Sequence, residues 1–208
     1  MAKNRAAEKA AEQILYGQFE VKEEKKSFLE NRSLAIVLTV VAILLSLVIG
    51  SHRSVAAQGR EVVEKFSTGI QYSGYSINSD LEDRMDYAQQ LSKIGQRYSL
   101  SDEAKAVSDA VSVLYSSGHG HACYLANRDL TDAVELLNGA LVNADLSSQD
   151  EQYRLEAYRN FVSSNDTISR EAALYNELVY EFNDEILGSF PTGTLAKLTG
   201  VKELEAFE

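Results

Sequence analysis

The chain has 208 residues, 20 Lys and Arg against 31 Asp and Glu, and a net charge of -11. Split at Leu34, the segment 1–33 carries seven basic and six acidic residues and the remainder thirteen and twenty-five, so nearly all the negative charge follows that point. An acidic chain without a basic stripe excludes nucleic acid as a partner, and the lone Cys123 excludes an internal disulfide framework.

The leader, residues 1–33, reads as helix from Ala6 to Glu30, with Ala7, Ala11, Ile14, Leu15 and Phe19 near one face. Next, LAIVLTVVAILLSLVIG, Leu34 to Gly50, is apolar throughout and uncharged. Hydrocarbon about 30 Å thick needs ~20 helical residues, with ~17 as the lower limit, so residues 34–51 are assigned as one membrane span. Val55-Ala56-Ala57 offers small residues suited to signal cleavage. The run nevertheless exceeds the ~7 to 15 residues of a signal core and follows a long polar leader, which favours a retained anchor. Lys22, Lys25, Lys26 and Arg32 on one flank outnumber Arg53, Arg60 and Lys65 on the other. The expectation is a cytoplasmic N-terminus and an extracytoplasmic domain.

Residues 52–79 read as a juxtamembrane helix and connection, helical over Gln58 to Phe66 and kept helical through the Gly-, Ser- and Tyr-rich stretch Ser67 to Ser79. The bundle is assigned to residues 80–208. Leu81, Met85, Ala88, Leu91 and Tyr98 make a first buried stripe. Ser99 to Asp102 supplies cap residues for a second helix, striped by Ala104, Val107, Val111 and Leu114 and ending at Ser116-Ser117-Gly118. A third runs from about Ala122 to Ala144 with Leu130, Val134, Leu137 and Leu141 inside. Ser148 and Glu151 form a capping box that opens the longest helix. It carries Tyr158, Phe161, Ile168, Ala172, Tyr175, Val179, Phe182 and Ile186, with fraying expected over Ser163 to Asp166 and an end at Gly188 and Pro191. The fold class is therefore all-α: one N-terminal transmembrane helix, then an antiparallel bundle of about four long helices.

Few residues carry chemistry. His119, His121 and Cys123, in Gly118-His119-Gly120-His121-Ala122-Cys123, are donors of the kind a transition metal takes, although no fourth ligand is evident and a glycine-flanked helix start explains the pattern equally well. Asp80, Glu82, Asp83 and Asp86 crowd one helix start, where carboxylates favour the helix dipole without further purpose. No dinucleotide loop, Walker sequence or nucleophile elbow is present, and no cofactor is expected. Tyr72, Tyr75, Tyr87 and Tyr98 are candidates for a recognition strip or for half-buried packing.

Tyr175-Asn176-Glu177-Leu178-Val179, Phe182-Asn183-Asp184-Glu185-Ile186, Phe190-Pro191, Ala196, Gly200 and Phe207-Glu208 resemble the closing signature of the LemA family. Leu81, Arg84 and Leu91, with Tyr153, Phe161 and Arg170, resemble its upstream positions, so the likeness covers Asp80 to Glu208. It implies a bacterial protein with a single N-terminal span and a helical bundle, and no defined activity. The chain departs from that family in its long leader and in Tyr87-Ala88-Gln89-Gln90, where Leu-Ile-Pro-Asn is common. Asn176 and Asn183, seven apart, are expected to bond a neighbouring helix or cap the tail.

These features lead to the expectation of a non-enzymatic docking or scaffold module of the bacterial cell envelope, contacting the lipid bilayer and other membrane or envelope proteins, with homo-oligomers possible. The alternative is a membrane-tethered sensor that binds a metal or small ligand and signals through its anchor.

Overall fold

The computed structural model describes residues 32–70 and 75–208, and these are helical with no strand among them. The expected leader helix and Tyr72 lie outside the described residues. Six α-helices follow in order: α1 (Arg32–Thr68), α2 (Ile77–Arg97), α3 (Ser101–Ser116), α4 (His121–Val142), α5 (Ser148–Glu181) and α6 (Thr192–Leu198), with a π-helical turn at Phe182–Ile186. The chain divides between Leu47 and Val48 into two compact units.

The first unit contains the opening of α1. Among its described residues no apolar side chain is buried, and Ile36, Leu44 and Leu45 stand more than half exposed. Among the described residues this is the one helix long and apolar enough to cross a membrane.

The second unit is the bundle. The apolar stripes settle inside: Leu81, Ala88 and Leu91 of α2, Val107, Val111 and Leu114 of α3, Leu130, Val134, Leu137 and Leu141 of α4, and Phe161, Ile168, Tyr175 and Val179 of α5 form one core. Met85, Tyr87, Tyr98 and Tyr158 are half-buried at its edge. Helices α2 and α5 run antiparallel: Arg97 of α2 pairs with Asp150 near the start of α5, and Arg84, nearer the start of α2, reaches Phe161 further along α5. The end of α1 also runs antiparallel to α5. Phe66 lies edge-on against Tyr175 with ring centroids 5.4 Å apart. Seven residues earlier in α1 and seven later in the chain, Gly59 faces Phe182, where a Cβ would stand 3.0 Å from the ring. A second, smaller core of Val55, Phe182, Leu187 and Ala196 continues this seam.

Four local expectations are corrected. The stretch from Ser67 is not one helix, because α1 stops at Thr68 and α2 begins afresh with Ser76 as its N-cap, in a reciprocal capping box with Ser79. Leu100, not a serine, precedes α3, and no side chain caps it. The N-cap of α5 is Ser147 rather than Ser148; its hydroxyl accepts from the Asp150 amide at 3.1 Å. Glu151, released from capping, instead takes two hydrogen bonds from Arg154, at 2.8 and 2.7 Å. Finally, α5 does not fray at Ser163 to Asp166. It stays helical to Glu181, held by Phe161 and Ile168, both buried, on either side of the polar stretch.

Candidate functional site

The Gly-His-Gly-His-Ala-Cys turn separates its three donors. Helix α4 begins at His121, so His119 lies outside the helix, its ring 6.3 Å from that of Phe66. His121 directs Nδ1 at the Glu208 main-chain carbonyl. Cys123 faces the core, where burial pushes its thiol pKa up. Among the described residues, no group of three His, Cys, Asp or Glu side chains is placed to hold a metal ion.

What the turn does hold is the C-terminal tail. Residues 201–208 are extended and run back along α5. Asn183 donates from Nδ2 to the Leu204 carbonyl and accepts from the Leu204 amide, both at 2.9 Å. Asn176 does the same with Phe207, at 3.1 and 2.7 Å. A primary amide presents one donor and one acceptor side by side, so each Asn satisfies both main-chain groups of one extended residue, as a neighbouring strand would. Phe207 is thereby seated between Phe66 and Tyr124, with ring centroids 5.7 and 5.6 Å away. Gly120, at φ 81°, leaves room for Glu205, whose Cβ would lie 2.9 Å from any Cβ added there. Tyr180 donates to the Glu208 carboxylate. This is the role expected of the two asparagines, and the tail gives the histidine turn a packing partner that sequence reasoning did not supply.

A polar layer crosses the middle of the bundle. Arg84 is 1% exposed; its guanidinium donates to the Phe161 carbonyl at 3.0 Å and to Thr131 Oγ1 at 2.7 Å, and its Cζ lies 4.0 Å from the centre of the Phe161 ring. No carboxylate among the described residues pairs with it. Burial lowers its pKa to about 10, which still leaves it cationic at neutral pH, where the ring face is its electrostatic partner. One helical turn away, Asp80 is buried with Oδ2 unbonded, and burial raises its carboxyl pKa, with the charges of Asp83 and Glu171 adding and Arg170 opposing. Asn127 Oδ1, Glu171 Oε2, Arg84 Nε and the Tyr175 hydroxyl are likewise buried without a hydrogen-bond partner among the described residues. Of the acidic group at the start of α2, only Asp80 is buried; Glu82, Asp83 and Asp86 face outward.

Open grooves mark the surface of the described bundle. One, of about 530 Å³, follows α5 into the π-helical turn and is acidic, lined by Glu177, Glu181, Asp184 and Glu185 beside Tyr180. Another, of about 480 Å³, lies between α2 and α3 under Met85, Val111 and the exposed Tyr115.

No protein-family model matches the chain, and no curated protein or solved structure matches it.

Proposed function

We propose that this is a single-pass membrane protein of the bacterial envelope, similar to LemA proteins, whose helical bundle serves as a non-enzymatic docking module. The carrying observation is the unburied apolar surface of the first part of α1, which only a bilayer or another apolar surface can cover without large cost. The signature over Asp80 to Glu208 supports the family reading, and the basic residues before Leu34 support a cytoplasmic N-terminus. In the bundle, the histidine turn seats the tail and the two asparagines bond it.

Crosslinking of the full chain in its host membrane, followed by identification of captured proteins, tests docking. A recurring membrane or envelope partner is expected, and recovery of the lipid-facing helix alone, with no repeatable protein, overturns the docking role. Orientation is read separately with an impermeant thiol reagent. Because Cys123 is 1% exposed, the label belongs on a Leu136→Cys, Cys123→Ser variant, Leu136 being 72% exposed on α4. Labelling in intact cells is expected; labelling only after lysis places the bundle inside.

A further inference from the structure

Phe190 is 87% exposed and Leu198 78%, more than any side chain of the apolar run, where Ile36 reaches 57%. The two residues bracket α6, seven residues and about 10 Å long. An isolated exposed Leu needs no explanation, but two large apolar side chains at opposite ends of one short helix, which buries only Gly193 and Ala196, form a paired feature.

Their height along the bundle is fixed by the seam between α1 and α5. Phe66 meets Tyr175 and Gly59 meets Phe182, seven residues apart on each side. Past the π-helical turn, Leu187 packs in the same small core as Val55, three residues before Phe190. The far end of α6 reaches His52 directly, since Thr199 Oγ1 lies 2.9 Å from its Nδ1, and Ala196 packs with Val55 a turn above. The apolar run ends at Gly50, inside the bundle unit, and His52 is two residues beyond it. A span that needs about 20 residues of helix to cross hydrocarbon therefore leaves His52 at headgroup depth.

The geometry points to a second membrane contact, which rests on the anchor reading: Phe190 and Leu198 enter the boundary between headgroups and acyl chains. The partner is a lipid surface, and the contact is apolar rather than ionic. Lys197, the basic residue of α6, is already paired with Glu203 at 3.2 Å, and the bundle as a whole is acidic. Aromatic and leucine side chains at this depth are the usual apolar face of an interfacial helix.

The chain has no tryptophan, so a single introduced one reports its own surroundings. Phe190→Trp, Leu136→Trp and Ile43→Trp, each in the full chain reconstituted into phosphatidylcholine vesicles, are compared with and without lipids brominated at shallow or deep acyl positions. The expected result is emission from Phe190→Trp shifted to shorter wavelength than that from Leu136→Trp, and quenched most by shallow bromines, with Ile43→Trp quenched most by deep ones. If Ile43→Trp is quenched but Phe190→Trp behaves like Leu136→Trp, the anchor stands and the second contact is overturned. Equal quenching at Phe190 and Leu136 also overturns it, as the bundle then lies on its side. If Ile43→Trp escapes quenching, the anchor fails and this contact fails with it.

Discussion

Asn176 and Asn183 make one contact twice: each holds the amide and the carbonyl of a single tail residue, Phe207 and Leu204 respectively. The spacing is metrical. Seven helical residues rise about 10.5 Å, and three extended residues span about 10 Å, so side chains seven apart on a helix match main-chain groups three apart on an extended strand. The tail is thus measured against the helix rather than merely lying on it.

Removal of either amide tests this. Asn176→Ala leaves the amide and carbonyl of Phe207 without their partner and should cost about 1–3 kcal/mol, read as a lower denaturation midpoint of the full chain in detergent. Faster hydrogen exchange should appear at Phe207 for Asn176→Ala and at Leu204 for Asn183→Ala. Asn176→Asp should be nearly as damaging, because it keeps the acceptor and turns a carboxylate oxygen toward the Phe207 carbonyl. Unchanged exchange at both tail amides would contradict the clamp.

Arg84 is buried with its charge answered by a ring face and two oxygens. Arg84→Ala removes a large side chain and leaves a cavity, so a loss of about 2–5 kcal/mol is expected. Arg84→Lys should also destabilise, since a single ammonium cannot reproduce a planar fork reaching Phe161 and Thr131 together. Arg84→Met, which fills the space without a charge to desolvate, should be the mildest of the three. Thermal unfolding followed by circular dichroism ranks them; a lysine variant as stable as the parent would remove the geometric argument.

Asp80 carries a sign opposite to the usual carboxylate. Its folded pKa is raised, chiefly by burial, so the folded state holds its proton more tightly than the unfolded chain does. The ionised form therefore costs stability above the raised pKa, and that cost disappears as pH falls through it toward the ordinary carboxylate range. Asp80→Asn should raise the melting temperature at pH 7, with the gain shrinking as pH is lowered. A gain independent of pH would assign the effect to something other than charge. Asp150 behaves in the conventional direction. Hydrogen bonding from Tyr98 is the main cause holding its pKa below the usual value, so its contribution is present at neutral pH and is lost as pH falls through that depressed pKa.

Tyr175 places a hydroxyl in the core with no partner among the described residues, and burial raises its pKa to about 12. Tyr175→Phe keeps the edge-on contact with Phe66 and removes only the unbonded group. An increase in stability of about 1 kcal/mol is expected from equilibrium denaturation. A loss instead would mean that the hydroxyl is bonded in solution.

The helical stripes were legible because the period of apolar residues maps directly onto burial, and every stripe residue of α3 and α4 is inside. The use of Asn176 and Asn183 was legible for a similar reason, as equal spacing placed them on one face. Arg84 illustrates a signal that was present and went unread. It sits three residues after Leu81, four before Ala88 and seven before Leu91, squarely on the buried stripe, but its charge argues against burial when the sequence is read alone. The start of α5 was not decidable locally. Ser147-x-x-Asp150 and Ser148-x-x-Glu151 are equivalent frames, and the choice is made by Tyr98, whose hydroxyl accepts from the Ser147 amide at 2.9 Å and donates to Asp150 at 2.7 Å. Helix α6 was missed because Pro191 was read only as a terminator, whereas proline is also well suited to a helix start.

The guanidinium of Arg84 also works as a key against sliding. Leucine seams at heptad spacing look alike to a neighbour shifted by seven residues, and little in an apolar interface resists such a shift. Here one direction along α5 would carry Arg84 from Phe161 to Arg154, itself 5% exposed and cationic, and the other would carry it to Ile168, which offers no π face. Only one alignment of α2, α4 and α5 leaves every buried cation answered, so the residue hardest to bury is the one that makes the bundle's register unique.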